Sequence, residues 1–317
     1  VIAGGTYRET LKPTRSGKAD APITFRAAEN AKVLITGADP LADWHPVGEE
    51  GSNLWRAPMS WNLGKNNQLF VNGRMMEEAR WPNVNDADLM TPDGAEVSRG
   101  GMDYIECDAL PERPDGYWEG CTLWCLGGAN WTSWTRPVVR YEAKTKRLVF
   151  GGEGSKYSAI PDSMNPGTRD NNRFYLVGRK EELDAPGEWF YDADEKMLYF
   201  RTEDGISPDT LQIGAKHRML AIDVDGLAYL RFEGIDIRGA TVRLSNARDC
   251  VVSGMAAEYV SHTRGGQTEY SLNESTGIVI DGENNVMREC EIAYSVGDGV
   301  LLTGRRNSII NCWVHDI

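Results

Sequence analysis

Carboxylate side chains are the residues of this 317-residue chain best suited to chemistry. Hydrolysis of a glycosidic bond needs two carboxyl groups, about 5–5.5 Å apart for retention or about 6.5–9.5 Å apart for inversion. Asp298, in the segment GDGV, and Asp316, after His315, are the candidates near the end of the chain, and Glu269 is a third. The competing interpretation of Asp298 is a turn residue beside glycine.

A polar segment, HTRGGQTEYSLNES at 262–275, contains three further candidates: His262, Arg264 and Tyr270. With Glu269 they could bind a sugar through hydrogen bonds. They also suit β-elimination on a uronic acid, where Arg or Ca²⁺ neutralises the carboxylate and His or Tyr removes the C5 proton. A corner loop without a catalytic role is the remaining interpretation.

Tryptophan is frequent, with nine of the ten residues between positions 44 and 189. Sugar rings stack on indole faces, so an exposed tryptophan can line a sugar subsite. Trp131 and Trp134, in the Gly- and Thr-rich segment GGANWTSWTRP, are the best candidates for this role. Most of the others are expected to fill a hydrophobic core.

The elements that would position these residues repeat along the last hundred positions. The apolar spacing of Phe232, Ile235 and Ile237 returns from Val251, from Met287 and from Ile309, in steps of 19, 36 and 22 residues. A period of 20 to 25 residues with short β-type segments predicts a solenoid of β-coils, with an insertion of roughly 14 residues in the middle step. The coils are predicted to begin at equivalent apolar positions: Ile222, Val242, Ile278 and Val300.

The whole chain is predicted to be all-β, a right-handed parallel β-helix interrupted by an antiparallel β-sandwich-like insert. Residues 1–43 alternate as short strands and form the N-terminal coils. In residues 44–216 the period disappears and hairpin signals appear, such as Asn72-Gly73. Residues 217–317 form further coils, and the solenoid ends in mid-coil, which suggests truncation.

Charge and composition exclude several classes of partner. The net charge of −13 argues against nucleic acid, and no apolar run is long enough to span a membrane. The six cysteines lack metal-ligand spacing, so no metal or other cofactor is expected, apart from Ca²⁺ if the protein is a lyase. Cys290 and Cys312 are equivalent in the repeat and could stack on adjacent coils. Two buried thiols are the favoured interpretation, and a disulfide is the alternative.

The segments GTYRETLKPTRSG and PITFRAAENAKVLITGAD resemble the opening of bacterial right-handed parallel β-helix enzymes that act on carbohydrates. VNGRMMEEARWPN and GEWFYDADEKMLYFRTEDG resemble the inserted domain of β-helical glycoside hydrolases of the β-xylosidase type. Polysaccharide lyases share the general β-helix more distantly.

This resemblance implies a secreted or periplasmic glycoside hydrolase that acts on a polysaccharide or oligosaccharide. It also implies catalytic acids on coils that follow the equivalent of 297–317, and Thr303 stands where this family pattern has an acid. The alternatives are a polysaccharide lyase and a non-catalytic glycan-binding or adhesin-like β-helix. The oligomeric state has no sequence signal.

Overall fold

A computed structural model of the chain describes residues 1–49, 51–84, 94–127, 132–150, 172–262, 277–296 and 298–317. Within these ranges the regular elements are β-strands and short 3₁₀ helices. The 3₁₀ helices are Gly64–Asn66, Ala143–Thr145, Lys180–Glu182 and Pro208–Thr210. No helix in this part of the chain has the length and apolarity needed to cross a membrane.

Three sheets are entirely parallel. Sheet 1 has six strands: Gly5–Tyr7, Val33–Thr36, Ile235–Arg238, Ala256–Glu258, Glu291–Ala293 and Trp313–His315. Sheet 2 has five: Ile23–Arg26, Leu230–Glu233, Val251–Ser253, Val286–Arg288 and Ser308–Ile310. Sheet 3 has four: Leu220–Asp225, Thr241–Arg248, Ile278–Glu283 and Val300–Leu302. From Leu220 onward, each passage of the chain adds one strand to sheet 3, then one to sheet 2, then one to sheet 1.

The register of sheet 3 follows the repeat predicted from the sequence. Ile222 is paired with Val242, and Ile278 with Val300, so these positions are equivalent as predicted. The predicted repeat is wrong by one residue in sheet 2, where Phe232 pairs with Val252 rather than Val251. The segment VVSGMAA has apolar residues at adjacent positions, so alternation alone does not select the inward one.

The inward side chains of the three sheets form one continuous core, which includes Phe232, Val252 and Met287. Phe25 stacks on Phe232 from the neighbouring strand, with ring centroids 5.4 Å apart and planes 8° apart. Side chains of the same type therefore lie above one another on successive strands. Truncation of the fully buried Phe232 to alanine is expected to cost about 3–5 kcal/mol of unfolding free energy.

Antiparallel pairing dominates between Ala38 and Lys216. A four-stranded sheet contains Ala38–Pro40, Ile213–Lys216, Leu69–Val71 and Arg74–Met75. A five-stranded sheet contains His45–Pro46, Leu54–Pro58, Met197–Arg201, Glu188–Asp192 and Glu77–Glu78. An eight-stranded sheet contains Arg80–Trp81, Ala95–Glu96, Arg99–Gly100, Tyr104–Glu106, Thr122–Gly127, Thr132–Glu142, Arg147–Phe150 and Arg173–Val177. These sheets have hydrophobic cores separate from the core of the parallel sheets.

Candidate functional site

The connections from sheet 1 to sheet 3 form one corner of the parallel region, called here the 1–3 corner. Four connections lie there: 37–219, 239–240, 259–277 and 294–299. The first contains the antiparallel sheets and the third contains the polar segment 262–275, so the two longest connections leave from the same corner. Long loops held by a rigid scaffold commonly carry binding and catalytic residues, which makes this corner the candidate site.

Two tyrosines lie in register at the 1–3 corner. Tyr259 and Tyr294 each follow directly the paired residues Glu258 and Ala293, and both have a left-handed backbone, with φ of 54° and 58°. Their rings stack with centroids 5.5 Å apart and planes 27° apart. The corner therefore presents a short column of aromatic rings along the stacking direction.

The antiparallel hairpin of Leu69–Val71 and Arg74–Met75 packs against this column. Phe70 contacts the Tyr259 ring edge-on, at 5.6 Å between centroids. At the turn, Gly73 lies so close to Arg238 that a Cβ atom there would be 2.6 Å from the guanidinium Nη1. The hairpin thus closes one end of the corner, and Tyr294 lies on the open side of it.

A second group of side chains, called here the C-terminal cluster, consists of Glu291, Trp313, His315 and Asp316. Trp313 and His315 project from the outer face of sheet 1, because Val314 between them pairs with the core residue Ile292. The two rings stack 3.8 Å apart with planes 23° apart. Trp313 is 63% exposed in this last strand of sheet 1, where the core-facing Val314 is also 43% exposed.

His315 joins the two carboxylates of this cluster. Its Nδ1 lies 2.9 Å from Asp316 Oδ2, and its Nε2 lies 3.2 Å from Glu291 Oε1. The hydrogen bond to Asp316, and secondly that to Glu291, raise the pKa of His315 above its usual value. The imidazole lies between the two carboxylates and fixes the orientation of Asp316 through this hydrogen bond.

A comparable N-terminal cluster consists of Trp61, His217, Asp39 and Arg218. His217 Nδ1 lies 2.6 Å from Asp39 Oδ2, and the His217 ring stacks on Trp61 at 4.5 Å. Here Arg218 binds both oxygens of Asp39. Chiefly because of the hydrogen bond from Arg218, the pKa of Asp39 falls to about 2. This cluster joins the antiparallel strands to the start of sheet 3.

The predicted residues His262, Asp298 and Asp316 all lie at or directly after the end of sheet 1. His262 forms an isolated parallel bridge with Val296, so the two passages are still in register there. Asp298 lies on the connection 294–299 and is exposed. No hydrogen bond or ion pair joins its carboxylate to another described residue.

Other predicted site residues lie elsewhere or cannot be described. Trp134 is 4% exposed and packs against Phe150 in the core of the eight-stranded sheet, so it offers no open ring face to a sugar. Trp131, Arg264, Glu269 and Tyr270 lie outside the described residues.

Sequence reasoning missed the partners that complete the C-terminal cluster. Glu291, Trp313 and His315 were not selected as site residues from the sequence. The available signal was the spacing Trp313-x-His315, since residues two apart on a strand share a face. Glu291 pairs with Trp313 of the next passage, so the 22-residue repeat also relates these two positions.

The described residues contain no cluster of three or more His, Cys, Asp or Glu side chains arranged to hold a metal ion. The carboxylates and imidazole of this corner, beside an exposed aromatic ring, are suited to acid–base chemistry.

Comparison with known proteins identifies the fold. No protein-family model matches the chain, and no curated protein matches it in sequence. A solved structure named "Glycoside hydrolase" aligns with 95% of this chain at a TM-score of 0.69 and 19% identity. A second, named "The complex structure of XylC with xylose", aligns at a TM-score of 0.43 and 15% identity over 98% of the chain. The alignments cover 59% of the first chain and 48% of the second, so this chain spans about half the length of each. The first structure shares the fold of the present chain.

Proposed function

We propose that this protein is a glycoside hydrolase that acts on a neutral polysaccharide or oligosaccharide at the 1–3 corner. The observation that supports this most is the C-terminal cluster, in which the exposed Trp313 stacks on a histidine held between two carboxylates. An exposed indole can bind the apolar face of a sugar ring, and carboxyl groups beside it can act on the glycosidic bond. The solved structure with the same fold is also named a glycoside hydrolase.

In this proposal Asp298 and Asp316 are the reactive carboxyl groups. Asp316, hydrogen-bonded to His315, is the proposed nucleophile or base. Asp298 is exposed at the same corner and is the proposed proton donor. Glu291 and His315 position Asp316. Glu269 is the alternative acid, and His262, Arg264 and Tyr270 are proposed to bind the substrate from the segment 262–275.

The charge of the corner favours hydrolysis over elimination. A lyase must neutralise the carboxylate of a uronic acid with a cation. Among the described residues here, Arg238 is paired with Glu258 at 2.8 Å and Arg218 with Asp39. Glu291, Asp298 and Asp316 add negative charge, which disfavours an anionic sugar and suits a neutral one.

We also propose that the three parallel sheets are the faces of a parallel β-helix, with residues 44–216 inserted as a domain. Right-handed winding is proposed because connections between parallel strands of one sheet are right-handed in about 98% of cases. A secreted or periplasmic location is proposed because polymeric carbohydrates are usually degraded outside the cytoplasm.

The test is a substrate screen with two readouts. The protein is incubated with neutral oligosaccharides and aryl glycosides, and separately with alginate, pectin and chondroitin. The expected result is new reducing ends or released aryl alcohol from the neutral substrates, without the ultraviolet absorbance of an unsaturated uronate. Absorbance on a uronate polymer would instead indicate a lyase. Binding of a glycan without turnover of any substrate would indicate an adhesin-like protein.

A further inference from the structure

Cys290 and Cys312 occupy the same position on adjacent passages of the chain. The pairs Arg288–Ile310 and Glu291–Trp313 lie on either side of them in register. The Trp313 amide donates a hydrogen bond of 2.9 Å to the Cys290 carbonyl, which ties the two passages together at this point.

The two thiols are also oriented alike. The Cys290 thiol donates to the Arg288 carbonyl at 3.1 Å, and the Cys312 thiol donates to the Ile310 carbonyl at 3.4 Å. Neighbouring strands are about 4.8 Å apart. This spacing lies within the Cα separation of about 4.4–6.8 Å that a disulfide accepts.

We propose that Cys290 and Cys312 are a redox-active pair that forms a disulfide between the last two passages of the chain. Both cysteines are reduced in the structure. The oxidant is a small disulfide such as oxidised glutathione, or a dithiol oxidase of an oxidising compartment. The two thiols lose two protons and two electrons and form the Sγ–Sγ bond. The S–S bond of the oxidant breaks and becomes two thiols.

The order of attack follows from exposure. Cys312 is partly exposed, whereas Cys290 is 3% exposed and its pKa is raised to about 11, chiefly by burial. Cys312 therefore attacks the oxidant first and forms a mixed disulfide. Cys290, in register with Cys312 on the adjacent passage, then displaces the glutathione thiol.

The disulfide would lie beside the proposed site, and this part of the inference rests on the proposed function. Cys290 directly precedes Glu291, and Cys312 directly precedes Trp313. The bond would therefore lock the strand that carries Trp313 and His315 to the strand that carries Glu291. Oxidation would stabilise the C-terminal cluster in its stacked, hydrogen-bonded arrangement.

Cys250 provides a matched control. Its thiol also donates to the carbonyl two residues earlier, at Arg248. In the next passage the equivalent position is Asn285, whose side chain accepts a hydrogen bond from the Cys250 amide at 3.1 Å. Cys250 has the same local conformation without a cysteine in register, so it cannot form the equivalent bond.

The experiment treats the purified protein with oxidised glutathione and counts thiols in denaturant. We expect the count to fall from six to four, and peptide mapping to find Cys290 linked to Cys312. We expect the Tm to rise by several degrees, because the bond closes a loop in the unfolded chain. Cys312→Ser should lose both the crosslink and the rise in Tm, and Cys250→Ser should keep both.

The proposal would be overturned if six thiols remain, or if only glutathione adducts form. A crosslink between other cysteines, or an unchanged Tm, would also overturn it. These readouts need no substrate. The disulfide can therefore fail while the proposed hydrolase activity stands, and the reverse also holds.

Discussion

The N-terminal and C-terminal clusters use the same three side-chain types at opposite ends of the 1–3 corner. In each, a histidine stacks on a tryptophan and its Nδ1 contacts an aspartate. The difference is the fourth residue, which is Arg218 in the N-terminal cluster and Glu291 in the C-terminal cluster. The arginine neutralises Asp39 and makes a structural clamp, whereas the second carboxylate leaves the C-terminal cluster negative and able to move protons.

The largest expected effect is on turnover. Asp298→Asn and Asp316→Asn should each lower kcat by about 10²–10⁴-fold, because each removes a carboxyl group that acts in acid–base or nucleophilic catalysis. His217→Ala, in the N-terminal cluster, should leave kcat within about twofold of the native value. The measurement is steady-state hydrolysis of the best neutral substrate. Native turnover by both aspartate variants would show that neither Asp298 nor Asp316 is catalytic.

Lys216, next to the N-terminal cluster, should make the free energy of unfolding depend on pH. This lysine is 1% exposed, donates to Gln68 at 2.9 Å, and burial lowers its pKa to about 8. Because the unfolded chain keeps its proton up to about pH 10.5, stability should rise by about 2 kcal/mol between pH 7 and pH 10. Lys216→Met should abolish this rise in urea titrations, and Lys65→Met, at an exposed position, should keep it. The same rise in stability in Lys216→Met would show that Lys216 does not cause it.

Arg218→Ala should destabilise the protein by about 2 kcal/mol at pH 7 through the loss of its bonds to Asp39. The lowered pKa of Asp39 gives stability that is complete above about pH 4 and is lost as the pH falls through about 2. The difference in unfolding free energy between the native protein and Arg218→Ala should therefore become smaller as the pH is lowered. Arg305→Ala removes an exposed ion pair with Glu283 and should change stability by under about 1 kcal/mol. Equal losses of unfolding free energy in the two variants would show that the bonds from Arg218 to Asp39 do not stabilise the fold.

The smallest effect concerns the pKa of His315. Asp316→Asn should lower this pKa more than Glu291→Gln, because the hydrogen bond to Asp316 is the larger cause of its elevation. NMR titration of the imidazole measures both changes. A larger decrease in the Glu291 variant would reverse the assigned roles of the two carboxylates.

The parallel strands were predictable because their inward residues repeat. Ile222 and Val242 are equivalent in both the sequence and the register. The error at Val251 arose because two adjacent valines fit the apolar pattern equally well. The pairing of antiparallel strands could not be derived, since Ala38–Pro40 pairs with Ile213–Lys216 across more than 170 residues.

The sequence indicated which residue types could act, but not the contacts that group them. Asp298, His262 and Asp316 were selected from residue type, and the structure places each at the same corner. The bond from Glu291 to His315 joins residues 24 apart, and it depends on which outward residues of two passages face each other. A prediction of that contact requires the register of these two passages and the conformations of both side chains.

The most direct test of the account compares the two tryptophans by calorimetric titration with a neutral oligosaccharide of the class that the protein hydrolyses. We predict that Trp313→Ala weakens binding at least about fivefold, because stacking on an exposed indole ring contributes about 1 kcal/mol or more. It predicts that Trp61→Ala leaves the Kd within about twofold. Equal Kd values for native protein and Trp313→Ala, or a larger loss in Trp61→Ala, would contradict the assignment of substrate binding to the C-terminal cluster.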